Sequence, residues 1–146
     1  MYNNADEYYG KIIKAVENLL DGKWEQIVIR IWKDECQSSI GVYCRIKNVF
    51  KFIGDYLSTG ELAPQHYSSI NRALLDISSE MQNELREKGQ KIWSCAVFTL
   101  MKDGHVETEY SYEDFPENEF KENLNWKYKR LGILPNEKNM KYLDRD

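Results

Sequence analysis

The 146-residue chain is poor in the residues that mark several protein classes. Its 8 glycines and 3 prolines are too few for a collagen-like or linker-like polymer. Its 3 cysteines, Cys36, Cys44 and Cys95, form no Cys-x-x-Cys pair and no metal-ligand spacing. An odd number of cysteines without an export signal reads as reduced thiols. Two histidines, His66 and His105, are too few for a histidine-rich metal cluster. No apolar run approaches the ~20 residues that cross a bilayer; the longest, residues 27–32 and 96–101, are strand-length. The opening Met-Tyr-Asn-Asn-Ala-Asp-Glu has neither a positive region nor an apolar one, so no export leader and a cytoplasmic location are expected. An excess of basic charge is also missing. With 24 acidic and 20 basic residues the net charge is −4, unlike a protein that coats nucleic acid.

What is present is material for a core. Hydrophobic residues make up 42% of the chain and aromatic residues 13%, which excludes a disordered polymer. The length suits one domain. It is expected over residues 1–135, followed by a polar, poorly ordered tail at 136–146.

Periodicity gives the element order. In residues 6–20, Tyr9, Ile12, Ile13, Val16, Leu19 and Leu20 fall on one helical stripe, and Asp21-Gly22 stops it. Residues 24–33 alternate, with Ile27, Ile29 and Ile31 on one face and Val28, Arg30 and Trp32 on the other, the period of a strand. Residues 39–47 alternate again, and 49–53 offer a third strand after a turn at Lys47-Asn48. Residues 54–64 read as a loop. Residues 65–88 carry Tyr67, Ile70, Leu74, Ile77, Met81 and Leu85 at steps of three or four, a long helix capped by Gly89. Residues 93–101 and 105–112 form a hairpin around Asp103-Gly104, a pair expected to take positive φ at both positions. Residues 118–130 read as a last helix, stopped by Gly132 and Pro135. The expected fold is α+β: an antiparallel sheet of four to five strands in two hairpins, packed with helices on one face, in the order α-β-β-(β)-α-β-β-α.

The search for catalytic chemistry returns little. There is no Gly-rich phosphate loop and no Gly-x-Ser-x-Gly elbow. His66 reads as a surface or cap residue at a helix start. His105, Glu107 and Glu109 share a strand face, an arrangement open to metal binding or acid–base work, although a plain solvated face is the favoured account of the three. The cysteines read as small packed hydrophobes. No enzyme activity, cofactor or metal is expected.

Charge distribution is more informative. Between Asp103 and Glu122 eight acidic residues face the single Lys121, a net −7 that leaves +3 for the rest. Tyr110, Tyr112, Phe115 and Phe120 lie in the same stretch. Dense carboxylates beside aromatics suit a surface that grips a basic protein. From Asn123 to Asp146 the sign reverses, with six basic residues against three acidic ones. There Trp126 and Tyr128 lie among Lys127, Lys129 and Arg130, a patch that could suit single-stranded nucleic acid, although so short a patch in an acidic chain is better read as an amphipathic helix with Trp126 tucked into the domain and the lysines in water.

One set of motifs is similar to a known family. It comprises Trp93-Ser94, the turn Lys102-Asp103-Gly104, the strand end Glu109-Tyr110-Ser111-Tyr112-Glu113-Asp114, and the block Trp126-Lys127-Tyr128-Lys129-Arg130-Leu131-Gly132-Ile133-Leu134-Pro135. Their order and spacing resemble the YezG/EsaG-type immunity proteins. The first half resembles them in architecture only. The chain departs from the family pattern at His105-Val106-Glu107, where an aromatic or apolar residue is expected after the hairpin glycine.

The resemblance implies a cytosolic antitoxin. It would bind and neutralise the toxic C-terminal domain of a secreted polymorphic toxin, often a nuclease, and have no catalytic constellation of its own. The charge pattern nominates His105, Glu107, Glu109, Tyr110, Tyr112, Glu113 and Asp114 as the toxin-binding residues. The competing expectation is a small cytosolic nucleic-acid-binding or scaffold protein with no toxin partner. No membrane association is expected, and a homo-oligomer is allowed but not indicated.

Overall fold

The computed structural model describes residues 5–60 and 62–144. Arg145 and Asp146, counted above in the basic stretch, lie outside the described residues.

Five strands form one antiparallel sheet in the order β3-β2-β1-β4-β5. They are β1 (Gln26–Lys33), β2 (Ser38–Ile46), β3 (Val49–Phe52), β4 (Cys95–Met101) and β5 (Val106–Ser111). β1 lies in the centre, paired with β2 on one side and β4 on the other, so that Ile29 faces both Val42 and Phe98. A central strand is covered on both faces, and β1 is accordingly apolar at Ile27, Val28, Ile29 and Ile31, interrupted by Arg30.

Two helices cover the first face. α1 (Ala5–Val16) and α3 (Pro64–Glu87) direct Ile12, Val16, Ile70, Leu74, Met81 and Leu85 onto Ile27, Ile29, Ile31, Ala96, Phe98 and Leu100. The expected stripe of the first helix continues to Leu20, but α1 ends at Val16. Leu20 and Asp21 turn left-handed at φ 53° and 55°, and a short 3-10 turn, Leu19–Gly22, keeps Leu19 and Leu20 buried without helical geometry. Pro64 sits in the first turn of α3, where its missing N–H leaves no broken bond. The buried amide of Gln82 donates to the carbonyls of Lys33 and Trp93, both at 3.0 Å, tying α3 to the sheet.

The second face differs from the expectation of helices on one side. α4 (Glu119–Leu131) packs across it, and Leu131, Trp126 and Ile133 cover Val28, Tyr43 and Val97. The physical reason is that β1, β2 and β4 carry apolar side chains at both parities. A sheet with two apolar faces needs cover on each. Asn118 caps α4 through its side chain, and Gly132 ends it at φ 71°.

The loop expected at 54–64 contains a helix, α2 (Ile53–Ser58), with Ile53 and Tyr56 buried. Six residues are too few to show a helical stripe in sequence. The turns also exchange roles. The two-residue turn with positive φ at both positions is Lys47-Asn48, at 52° and 66°, between Ile46 and Val49. At the second hairpin only Gly104 is left-handed, with φ 94°, because residues 102–105 make a longer loop in which Gly104 N donates to Met101 O.

After α4 the chain runs into a second 3-10 turn, Glu137–Tyr142. The buried Asn125 holds it from α4. Its amide nitrogen donates to the Tyr142 carbonyl at 3.1 Å, and its oxygen accepts from Asp144 N at 2.7 Å.

Candidate functional site

The second sheet face builds the site. On β1, Val28 packs under α4, and two residues further on Arg30 enters the same interface. Arg30 is 8% exposed, the only buried arginine or lysine among the described residues. A buried guanidinium is costly unless its charge and donors are matched. One match is complete: Nη2 of Arg30 reaches Oε2 of Glu122 on α4 at 2.5 Å. The Trp126 ring centroid lies 4.4 Å and the Trp32 ring centroid 5.3 Å from the guanidinium carbon, a cation–π contact with each. Nε and Nη1 are sealed from solvent and meet no oxygen acceptor among the described residues, and the Cys95 thiol is in hydrogen-bond contact with the guanidinium. Burial pushes that thiol's pKa up, and the arginine pulls it partly back.

Three cavities meet at Arg30 and Trp32. One of about 600 Å³ runs between the sheet and the start of α4, past Phe120 and Asn123 to Leu134 and Asn139. A second, of about 250 Å³, lies over Ser39, Gly41 and Tyr43. A third, of about 300 Å³, opens toward Ser111, Glu113 and Asp114. Phe120, Leu134, Met140 and Tyr142 are large apolar or aromatic side chains left exposed along this side.

The residues nominated from charge divide between the two faces of β5. Glu107 and Glu109 lie on the second face, across from Thr99 and Val97. Glu109 is not free: Arg130 of α4 holds it at 2.7 Å. His105 stands 3.8 Å from Glu107, both well exposed. Tyr110 lies on the opposite, helix-covered face, stacked on Trp93 at 5.9 Å and edge-on to Phe98 at 6.4 Å. Tyr112 is exposed beneath Lys91, and Glu113 and Asp114 line the third cavity. Among the described residues Asp103, Glu113, Asp114, Glu117 and Glu119 make no ion pair. Glu113, Asp114 and Glu119 line the cavities that meet at Arg30, and Glu107 and Glu109 continue the acidic edge along β5.

No group of three or more His, Cys, Asp or Glu side chains is placed to hold a metal ion among the described residues. His105, Glu107 and Glu109 are not gathered as one. His66 lies near the start of α3, on a small cavity with Lys14 and Asn18. No helix is long and apolar enough to cross a membrane, among the described residues.

Sequence reasoning missed the centre of this site. Arg30, Trp32, Glu122 and Trp126 come from strands and helix far apart in the chain. The available signal was an arginine at a period-two position between Val28 and Trp32, a pattern that places a cation on a sheet face.

A family model described as immunity protein YezG-like matches residues 5–143. Two similar proteins are each called immunity protein YezG. That of Bacillus subtilis (strain 168) is 22% identical over 140 residues, covering 92% of this chain and 93% of the relative. That of Bacillus spizizenii is 21% identical over 140 residues, covering 92% and 87% respectively.

Proposed function

The chain belongs to the YezG-like immunity protein family, and from that premise we propose that it is a cytoplasmic antitoxin that binds and neutralises the toxic C-terminal domain of a secreted polymorphic toxin. The toxin domain is a nuclease with a basic cleft, and the inhibitor works by binding, without catalysis or cofactor. The observation that carries the electrostatic part is the rim of unpaired carboxylates: Glu113, Asp114, Glu117 and Glu119, joined by Glu107 at the exposed edge of β5.

The physics connects the two. A nuclease surface that holds a polyanion is cationic. An acidic partner is steered to it, raising association toward 10⁸ M⁻¹s⁻¹, and close charge pairs at such interfaces couple by roughly 1.5–7 kcal/mol. Glu107, Glu113 and Asp114 are the contacts, with Glu109 held in place by Arg130, Tyr112 as an aromatic anchor and His105 at the rim. Tyr110, stacked on the core side of the strand, supports β5 from behind.

The test is a tagged pull-down from the native host at low and moderate salt, read by mass spectrometry. Recovery of one stoichiometric toxin C-terminal domain that survives moderate salt supports the reading. Recovery of bulk RNA lost on adding salt, with the toxin expressed, would replace it with the nucleic-acid reading.

A further inference from the structure

The largest cavity, about 600 Å³, joins apolar and acidic side chains in one groove. Phe120 enters it from the first turn of α4, and Leu134 and Pro135 enter it from the chain that follows α4. Phe120 is 55% exposed, and Leu134, at 64%, is the most exposed large hydrophobic side chain among the described residues. A lone exposed leucine is ordinary, but two large apolar side chains lining one cavity mark a surface that a partner covers.

The walls of the groove are held in place. The Phe120 ring meets Tyr142 edge-on at 5.6 Å, and the Tyr142 carbonyl accepts from the buried Asn125 amide at 3.1 Å. Trp32, on the sheet side, packs against Phe115 at 5.3 Å. Pro135 fixes its own backbone angle. A groove formed in advance spends little free energy on ordering when it is filled.

Charge selects the occupant. Glu119 lines the groove, Glu117 precedes it on the approach to α4, and Glu113 and Asp114 line the adjoining cavity. None of the four makes an ion pair among the described residues. Arg30 and Glu122 also line the groove but neutralise each other. The remaining cation is Lys127, eight positions beyond Glu119 on α4 and so about 12 Å along the helix. The groove is therefore acidic at the end where α4 begins.

That charge disfavours three occupants. A second copy would bring the same carboxylates against these, and nucleic acid or an anionic membrane would bring phosphates. A cationic protein segment with an apolar side chain matches both the charge and the walls. We propose that the Phe120–Leu134 groove is the anchor site for the partner, taking one apolar or aromatic side chain flanked by a lysine or arginine that meets Glu119. The proposal rests on the antitoxin reading and adds to it where the toxin domain is gripped. The carboxylates set the rate of encounter, and the filled groove sets the lifetime of the complex.

The test measures association and dissociation rates of the full chain with the toxin C-terminal domain recovered from the host, at moderate salt. Phe120→Ala and Leu134→Ala should each weaken binding about thirtyfold, the threshold of an interface hot spot, through faster dissociation. Val49→Ala removes an equally exposed side chain from β3 and should bind as wild type. Glu119→Gln should slow association about threefold and flatten its salt dependence. Thermal midpoints confirm that each variant is folded. Leu134→Ala decides the outcome, because Leu134 is the more exposed of the two and its loss leaves the Phe120–Tyr142 contact in place. Wild-type affinity in folded Leu134→Ala would overturn the groove as the anchor and leave the antitoxin reading standing. A wild-type chain that binds no toxin domain would end that reading, and the proposal with it.

Discussion

Arg30 on the central strand and Glu122 on the last helix, 92 positions apart, form an ion pair at 2.5 Å that joins the sheet to α4. Arg30 is nearly sealed from water while Glu122 keeps 29% of its side chain exposed. The pair is therefore unequal. Removing the carboxylate strands a buried cation, whereas removing the cation leaves a carboxylate that water can reach.

Glu122→Ala should accordingly destabilise the fold by about 2–3 kcal/mol, below the 3–5 kcal/mol of a fully buried pair because Glu122 is partly solvated. Urea denaturation monitored by tryptophan fluorescence measures it, since Trp32 and Trp126 flank the guanidinium. A loss under about 0.5 kcal/mol, the range of an exposed pair, would contradict the account.

Asn125 should govern the docking of the last residues. Its side chain bonds the backbone at both Tyr142 and Asp144. Asn125→Ala leaves those groups without their partners, at a cost of about 1–3 kcal/mol. Amide exchange over 137–144 should accelerate in this variant while that of β1 and β4 stays slow. Unchanged protection of 137–144 would show that the Asn125 bonds do not hold this segment.

Thiol chemistry should separate the three cysteines. Cys36 is exposed, and Cys44 and Cys95 are buried. At mildly alkaline pH an alkylating reagent should modify Cys36 alone in the native protein. Burial pushes the Cys44 thiol from 9.0 up to about 12. A folded pKa above the unfolded one contributes stability that is fully present below pH 9 and is lost as pH rises toward 12. Cys95 and Tyr43 are raised by burial in the same direction. The protein should therefore lose stability in that alkaline window, and Cys44→Ala should make the fall shallower. An identical slope in the variant would remove Cys44 from the cause.

The sheet was largely legible in the sequence, for a physical reason that also marks the limit. Ile27, Ile29 and Ile31 repeat every second residue, and Ile70, Leu74, Ile77, Met81 and Leu85 repeat every third or fourth. Local periodicity of this kind is what burial on one face imposes. α2 has no such repeat, because six residues around Gly54 make barely more than a turn and a half. The placement of α4 on the far face depends on apolar residues at the other parity, Val28, Tyr43 and Val97, which a single-face reading sets aside.

The candidate site was legible only at its rim. Counting charges between Asp103 and Glu122 finds the carboxylates but not their partners. Glu109 is paired to Arg130 and Glu122 to Arg30, each through contacts that exist only after folding. Tyr110 adjoins Glu109 in sequence, yet period-two geometry turns its ring to the opposite face.

Charge reversal should resolve the rim. Glu107→Lys combined with Asp114→Lys, at exposed side chains away from the core, should leave the fold unchanged within about 0.5 kcal/mol. It should slow association with the toxin domain and invert the salt dependence of binding. Affinity equal to wild type would place the contact surface elsewhere.

The most direct measurement of the central claim is an activity titration. The toxin C-terminal domain recovered from the host is assayed for nucleic-acid cleavage while purified protein is added. The account predicts that cleavage falls linearly to zero at one protein per toxin domain and that Glu107→Lys/Asp114→Lys shifts the curve to higher protein. Full cleavage at a large excess of wild-type protein would contradict it.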